Sequence, residues 1–210
     1  HHITFTHHRN LEDLQWENVD IVIESTGKYK TKIDLQKHLN AGAKKVILSA
    51  PPIEEDIKTV VIGVNEHILT NEDVIFSNAS CTTNNAAPLI KVIKELCGIE
   101  QAYITTIHSY TTDQSLHDQP HKDLRRARAA GQSIVPTTTG AAKALTRIFP
   151  DLSNVIGGCG IRVPVPNGSL TDLTINVKRD VSVQEVNDAF YHFAKANPAT
   201  FSYTDIPLVS

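Results

Sequence analysis

Cys81 stands in the run Ser77-Asn78-Ala79-Ser80-Cys81-Thr82-Thr83-Asn84, small and polar residues between a β-branched apolar segment and a helical one. A thiol there meets the free N–H groups of a helix N-terminus, which favour the thiolate and can hold an oxyanion forming on a bound carbonyl. The bland alternative, a buried structural cysteine, suits Cys97 on an apolar face and Cys159 among glycines. A nucleophilic thiol needs a base to take its proton. His108 ends an alternating strand and opens a second hydroxyl-rich segment, Ser109-Tyr110-Thr111-Thr112, which makes it the candidate. The pairs His1-His2 and His7-His8 lack the spacing of a zinc site and read as surface histidines.

Two arginines are candidates for binding an anion. Arg162 interrupts the apolar pair Ile161 and Val163, and a guanidinium placed there needs a partner, either a carboxylate or a phosphate. Arg126 lies among small residues in a long polar stretch. Thr137-Thr138-Thr139-Gly140, just before a helix starting at Ala141, offers hydroxyls and free N–H groups where a phosphate can sit. Taken singly, Arg162 could be half of an ion pair and Thr139 an ordinary cap. Together with Cys81 they suggest a cysteine enzyme acting on a phosphorylated substrate.

The elements that must position these residues fall into two groups. Val19 to Glu24 and Lys45 to Ser49 read as buried strands. Between them lies a helix capped by Thr31 with Asp34 and stopped at Gly42, so the three form a parallel, right-handed βαβ unit. Val60-Val61-Ile62 and Val74-Ile75-Phe76 supply two further strand candidates. A helix ends at Cys97-Gly98. Pro88 places its regular start near Asn85, with a longer kinked helix from Ser80 or Cys81 as the alternative. Beyond it, Ala102 to Ile107, Val155 to Val165 and Leu170 to Val177 read as strands. The last two are joined by the hairpin turn Pro166-Asn167-Gly168-Ser169, and Ser182 to Ala196 reads as an amphipathic helix. The fold expected is α/β: a partial Rossmann-type parallel sheet over 1–79, then an α+β catalytic domain over 80–210 with a mostly antiparallel sheet. The polar stretch from His108 to about Pro136 is read as an ordered functional loop.

The chain has 210 residues, 40% hydrophobic and 20% charged, enough to bury a core in each of two domains. A net charge of −3 argues against a nucleic-acid or anionic-membrane surface, and no apolar run reaches the length of a membrane span. Three widely spaced cysteines do not make a disulfide framework and suit a reducing compartment. The chain contains no Met, so a processed chain or a fragment is expected.

Five segments, SNASCTTN at 77–84, HSYT at 108–111, HKDLRRARAA at 121–130, PTTTGAAK at 136–143 and IRVP at 161–164, closely resemble phosphorylating glyceraldehyde-3-phosphate dehydrogenase. The resemblance runs across essentially the whole chain. It implies Cys81 as nucleophile and His108 as base in an oxidative phosphorylation of glyceraldehyde 3-phosphate through a thioester. Thr111 and Arg162 would hold the substrate phosphate. Arg126, Thr139 and Gly140 would hold the attacking inorganic phosphate, and Ser80 and Thr82 would flank the nucleophile. Ser49 and Thr112 would lie along the cofactor, NAD, with NADP left open by Gln119 in the long loop. A cytoplasmic homotetramer is implied for the full-length enzyme.

The chain departs from the family at Asn85, where a second cysteine is common, and at Thr112, where Asn is frequent. No glycine-rich dinucleotide fingerprint or acidic ribose ligand is found. The family carries both upstream of this start, and a last strand, a C-terminal helix and an Asn for the nicotinamide beyond this end. An internal fragment, inactive when isolated, is therefore expected. Erythrose-4-phosphate dehydrogenase is the nearest alternative; a Cys-His hydrolase and a non-catalytic module are more distant ones.

Overall fold

A computed structural model describes residues 2–209, and the chain divides into two compact units, His1–Ser80 and Cys81–Ser210. In the first, β1 (Ile21–Glu24), β2 (Lys45–Leu48) and β3 (Ile75–Ser77) form a parallel sheet in that order. Helix α1 (Lys32–Asn40) crosses from β1 to β2. Thr31 caps it, its hydroxyl oxygen accepting from the Asp34 N–H while its hydroxyl donates to the Asp34 carboxylate. At the far end Gly42 has φ +112°, and a Cβ there would lie 3.1 Å from the Trp16 carbonyl, so both conformation and space call for glycine. Leu35 of α1 packs on Val46 and Leu48 of β2 and on Ile57, all buried.

β1 alternates outward and inward, which turns Glu24 into the interior with Val22. Its carboxylate accepts the Thr26 N–H at 2.7 Å and faces His38 Nε2 at 3.0 Å. The Trp16 indole donates to His38 Nδ1 at 3.2 Å, which puts the imidazole proton on Nε2, toward Glu24. This buried chain fixes the turn after β1 against α1.

Val60–Ile62 is not a strand. Only Thr59 bridges β3, at Ser77. Asn65 takes the adjoining backbone groups instead, its Oδ1 accepting from the Val61 N–H and its Nδ2 donating to the Thr59 carbonyl. The apolar run marked burial, since Val60 and Val61 are buried, without marking the extended ladder.

Asp73 accepts from Lys58 Nζ at 2.8 Å and from the Thr70 N–H at 2.7 Å; the lysine contact first, then the backbone bond, hold its carboxyl down at about 2. A carboxyl depressed on folding stabilises the fold fully above its ordinary value of 3.8 and loses that contribution as pH falls through about 2. Asp73→Asn is therefore expected to lower the urea midpoint at pH 7 and to flatten its fall between about pH 4 and 2. A deficit that stays constant down to pH 2 would contradict this.

In the second unit α2 runs Cys81–Cys97 straight through Pro88. The helix starts four residues before Asn85, so the longer of the two sequence readings holds. Thr83, Ala86, Ala87 and Ile90 are buried, and that packing offsets the roughly 3 kcal/mol that an interior proline costs a helix. The sheet has the order β5-β6-β4-β7, from β4 (Ile99–Ser109), β5 (Val135–Thr137), β6 (Ile156–Val163) and β7 (Ser169–Val177). α3 (Ala141–Ile148) leads into β6, and α4 (Val183–Ala196) follows β7 behind a Ser182–Glu185 capping box.

β6 and β7 do not form the expected hairpin. They flank β4, β6 parallel to it and β7 antiparallel, so the sheet is mixed, with β5–β6 its other antiparallel pair. Pro164 and Pro166 cannot donate to a ladder, which ends β6 pairing before the turn. The Gly168 carbonyl instead accepts from the Ser109 N–H at the end of β4. α2 packs on β4, β7, α3 and α4. On the helix-covered face Ala102, Ile104 and Thr106 are buried, and alternation puts His108 next in that row.

Candidate active site

Cys81 is the first residue of α2, and its thiol is exposed. Its Sγ lies 3.3 Å from Nε2 of His108, at the end of β4. Nδ1 of His108 is 2.7 Å from the Ser109 carbonyl oxygen, and a proton on Nδ1, shared with that carbonyl, leaves the Nε2 lone pair facing the thiol, the tautomer that a base for Cys81 requires. Cys97 and Cys159 have no such partner: Cys97 donates to the Ile93 carbonyl inside α2, and Cys159 Sγ is 4.0 Å from the Thr105 hydroxyl.

Strand register brings Arg162 to the pair. In the parallel β4–β6 ladder His108 is opposite Arg162, and Arg162 Nη1 donates to the same Ser109 carbonyl at 3.1 Å. Nη1 also sits against His108 Nδ1. The Ser109 carbonyl, an acceptor, and Arg162 Nη1, a donor, thus both meet Nδ1 of His108. Among the described residues no carboxylate lies within ion-pair distance of Arg162. Burial, and then the neighbouring charge of Arg126, pull its pKa down, while the nearby Cys81 acts in the opposite direction. A half-buried guanidinium without a carboxylate, close to a second guanidinium, is a site for an anion.

Arg126 donates to Thr137 Oγ1 at 2.8 Å and pairs with the Asp113 carboxylate, whose other oxygen accepts from the Thr111 hydroxyl. Asp113 escaped the sequence reading, because it reaches Arg126 only through the fold of an aperiodic loop. Thr137 belongs to the hydroxyl run read as a phosphate site, in which the resemblance points to Thr139. The Thr139 hydroxyl accepts from the Ala141 N–H at 3.2 Å, the capping role, and Gly140 is the exposed N-cap of α3. Arg126 is thus tied to Thr137 and not to Thr139. Ser80 and Thr82 adjoin Cys81 in the chain and are both half-buried. Thr112 is exposed beside Thr111, and Ser49 is exposed at the end of β2 in the first unit, where its N–H donates to the Glu24 carbonyl.

A cavity of about 590 Å³ lies in the first unit, lined among others by Trp16, Glu24, Thr26, Tyr29 and His38. None of the candidate site residues Cys81, His108, Arg126 or Arg162 lines it. Among the described residues no cluster of His, Cys, Asp or Glu could hold a metal ion.

Residues 80–210 match the family described as glyceraldehyde 3-phosphate dehydrogenase, C-terminal domain. Over 206 residues the chain is 53% identical to glyceraldehyde-3-phosphate dehydrogenase 2 of Bacillus subtilis (strain 168), covering 96% of this chain and 60% of that protein. It is 50% identical over 206 residues to the glyceraldehyde-3-phosphate dehydrogenase of Geobacillus stearothermophilus, covering 96% and 61%. The Mycobacterium avium enzyme is 52% identical over 193 residues, covering 91% and 57%. The chain therefore spans about 60% of the length of the curated relatives it matches. On these likenesses, and with a thiol, an imidazole and two guanidiniums gathered in the matched region, the chain belongs to the glyceraldehyde-3-phosphate dehydrogenase family.

Proposed function

We propose that this chain carries the nucleophile, base and anion sites for the NAD-dependent oxidation and phosphorylation of D-glyceraldehyde 3-phosphate to 1,3-bisphosphoglycerate. The observation that carries the reading is the 3.3 Å approach of Cys81 Sγ to Nε2 of His108, beside Arg162. Sγ attacks the aldehyde carbon as Nε2 takes the thiol proton, and returning it to the carbonyl oxygen gives a hemithioacetal on Cys81. The bound nicotinamide supplies the hydride acceptor. His108 holds the proton given up as the hemithioacetal becomes a thioester. Inorganic phosphate then attacks the thioester carbon, the C–S bond breaks, and Cys81 is released.

Arg162 and Thr111 are assigned to the substrate phosphate, and Arg126 with Thr139 and Gly140 to the attacking phosphate. Ser80 and Thr82 are assigned to substrate contacts beside the nucleophile. The first unit fits a dinucleotide in its general form. Its three parallel strands end in Ser25-Thr26-Gly27, Ser49 and Asn78, small polar residues at the carboxyl edge where open parallel sheets bind ligands. Gly27, at φ +72°, leaves open space where a Cβ would stand. Ser49 and Thr112 are proposed as cofactor contacts, each an exposed hydroxyl on its own unit.

Self-association is assigned to the open face of the second sheet, where Tyr103 and Leu170 stay half exposed. A cytoplasmic site of action belongs to the same proposal. It is supported by the three free cysteines, which suit a reducing compartment.

The test is protection of Cys81 from iodoacetamide. D-Glyceraldehyde 3-phosphate is expected to protect at about tenfold lower concentration than glyceraldehyde, and Arg162→Ala is expected to erase the difference. Equal protection by the two aldehydes in the unsubstituted protein would overturn the assignment.

A further inference from the structure

Asp113 touches a residue from each proposed anion site. One carboxylate oxygen accepts from the Thr111 hydroxyl, assigned above to the substrate phosphate. The other pairs with Arg126, assigned above to the attacking phosphate. Its side chain is 44% exposed, whereas that of Arg126 is 21% exposed, so the carboxylate can leave into water while the guanidinium stays in place. Arg126 keeps its hold on Thr137 Oγ1 without Asp113, and Asp123 lies 3.7 Å from its Nε. Arg162, by contrast, has no carboxylate partner among the described residues, and Arg126 and Arg162 are close enough for one charge to oppose the other.

An incoming phosphate dianion competes with Asp113 for Arg126 Nη1, and while the carboxylate is in place it meets a negative charge beside Thr111. We propose that Asp113 is a built-in counter-anion. It neutralises Arg126 while no phosphate is bound and is displaced when orthophosphate or a phosphate monoester arrives. The ion pair sets a threshold for anion binding and couples the two sites, because releasing Arg126 also frees the Thr111 hydroxyl for the second anion. The inference rests on the assignment of Arg126 and Thr111 to phosphate.

Titration calorimetry with inorganic phosphate, on the whole chain carrying Arg162→Ala throughout so that the Arg126 site alone is read, tests it at fixed ionic strength. Asp113→Asn keeps the shape and removes the charge, and is expected to bind phosphate about fivefold tighter or more, the scale of a partly exposed ion pair. Asp113→Ala should tighten binding in the same direction, and Arg126→Ala should abolish it. A gain in affinity cannot come from a damaged fold, and circular dichroism identifies a variant that has not folded. Weaker or equal binding by both folded Asp113 variants, with Arg126→Ala still abolishing it, would show that Asp113 only supports Arg126 and would overturn this inference alone. Phosphate binding that survives Arg126→Ala, or that no variant displays, would remove the underlying site assignment as well.

Discussion

Cys81→Ser is expected to abolish the burst of p-nitrophenolate that p-nitrophenyl acetate gives with an activated thiol, and to lower ester turnover through this site by about 10⁴-fold or more. Serine keeps the size and the place at the start of α2, but its hydroxyl is a far weaker nucleophile than a thiol that Nε2 of His108 can deprotonate at 3.3 Å. The burst needs no cofactor, so it reads the nucleophile by itself. The chain has three thiols, and the structure separates them. Burial, the largest influence, pushes the Cys97 thiol up, and that thiol donates to a carbonyl of its own helix. Cys159 lies half-buried on β6, beside the side chains of Thr105 and Tyr103 and without an imidazole partner among the described residues. One acetyl group per chain, found on the peptide containing Cys81, is expected, with Cys97→Ala and Cys159→Ala both retaining the burst. A burst that persists in Cys81→Ser would show that another group is the nucleophile.

The candidate pair Cys81 and His108 was legible in the sequence because each residue lies in a short segment whose chemistry is local. Ser80-Cys81-Thr82-Thr83 is too polar for a core strand and opens a helix, and His108 closes a strand whose alternation is visible from Ala102 onward. The capping pair of Thr31 and Asp34 was equally local. Reading failed where an outcome depended on which strand pairs with which. A Pro-Asn-Gly turn favours a hairpin, but β4 lies between β6 and β7 and takes both as partners. The same insertion sets Arg162 beside His108, a contact no spacing reveals because 54 residues separate them. The helix boundary at Pro88 was open for a related reason. Propensity disfavours proline there, and the balance was set by the burial of Thr83, Ala86 and Ala87, which only tertiary packing supplies. Asp113 was missed because its meaning comes from Arg126, 13 residues further along a loop without periodicity.

Replacing the imidazole is the complementary test, since it leaves the thiol intact. His108→Ala is expected to slow the Cys81 acylation burst by about 10²–10⁴-fold at neutral pH, the range for loss of a positioned general base. The fold should survive: His108 is only half-buried, and the backbone ladders of β4 to β6 and β7 do not use its side chain. The Ser109 carbonyl that orients Nδ1 also holds Arg162 Nη1, so Arg162 keeps its anchor after the imidazole is gone. Binding of phosphate at Arg162 should therefore change little while acylation falls, which separates proton transfer from anion binding. The space left beside Cys81 admits free imidazole, and adding it should recover part of the lost rate in His108→Ala and none in Cys81→Ser. Such rescue is a readout that a purely structural histidine could not give. An unchanged burst in His108→Ala would mean that the thiol acts without its neighbour and that the 3.3 Å pairing has no part in the chemistry.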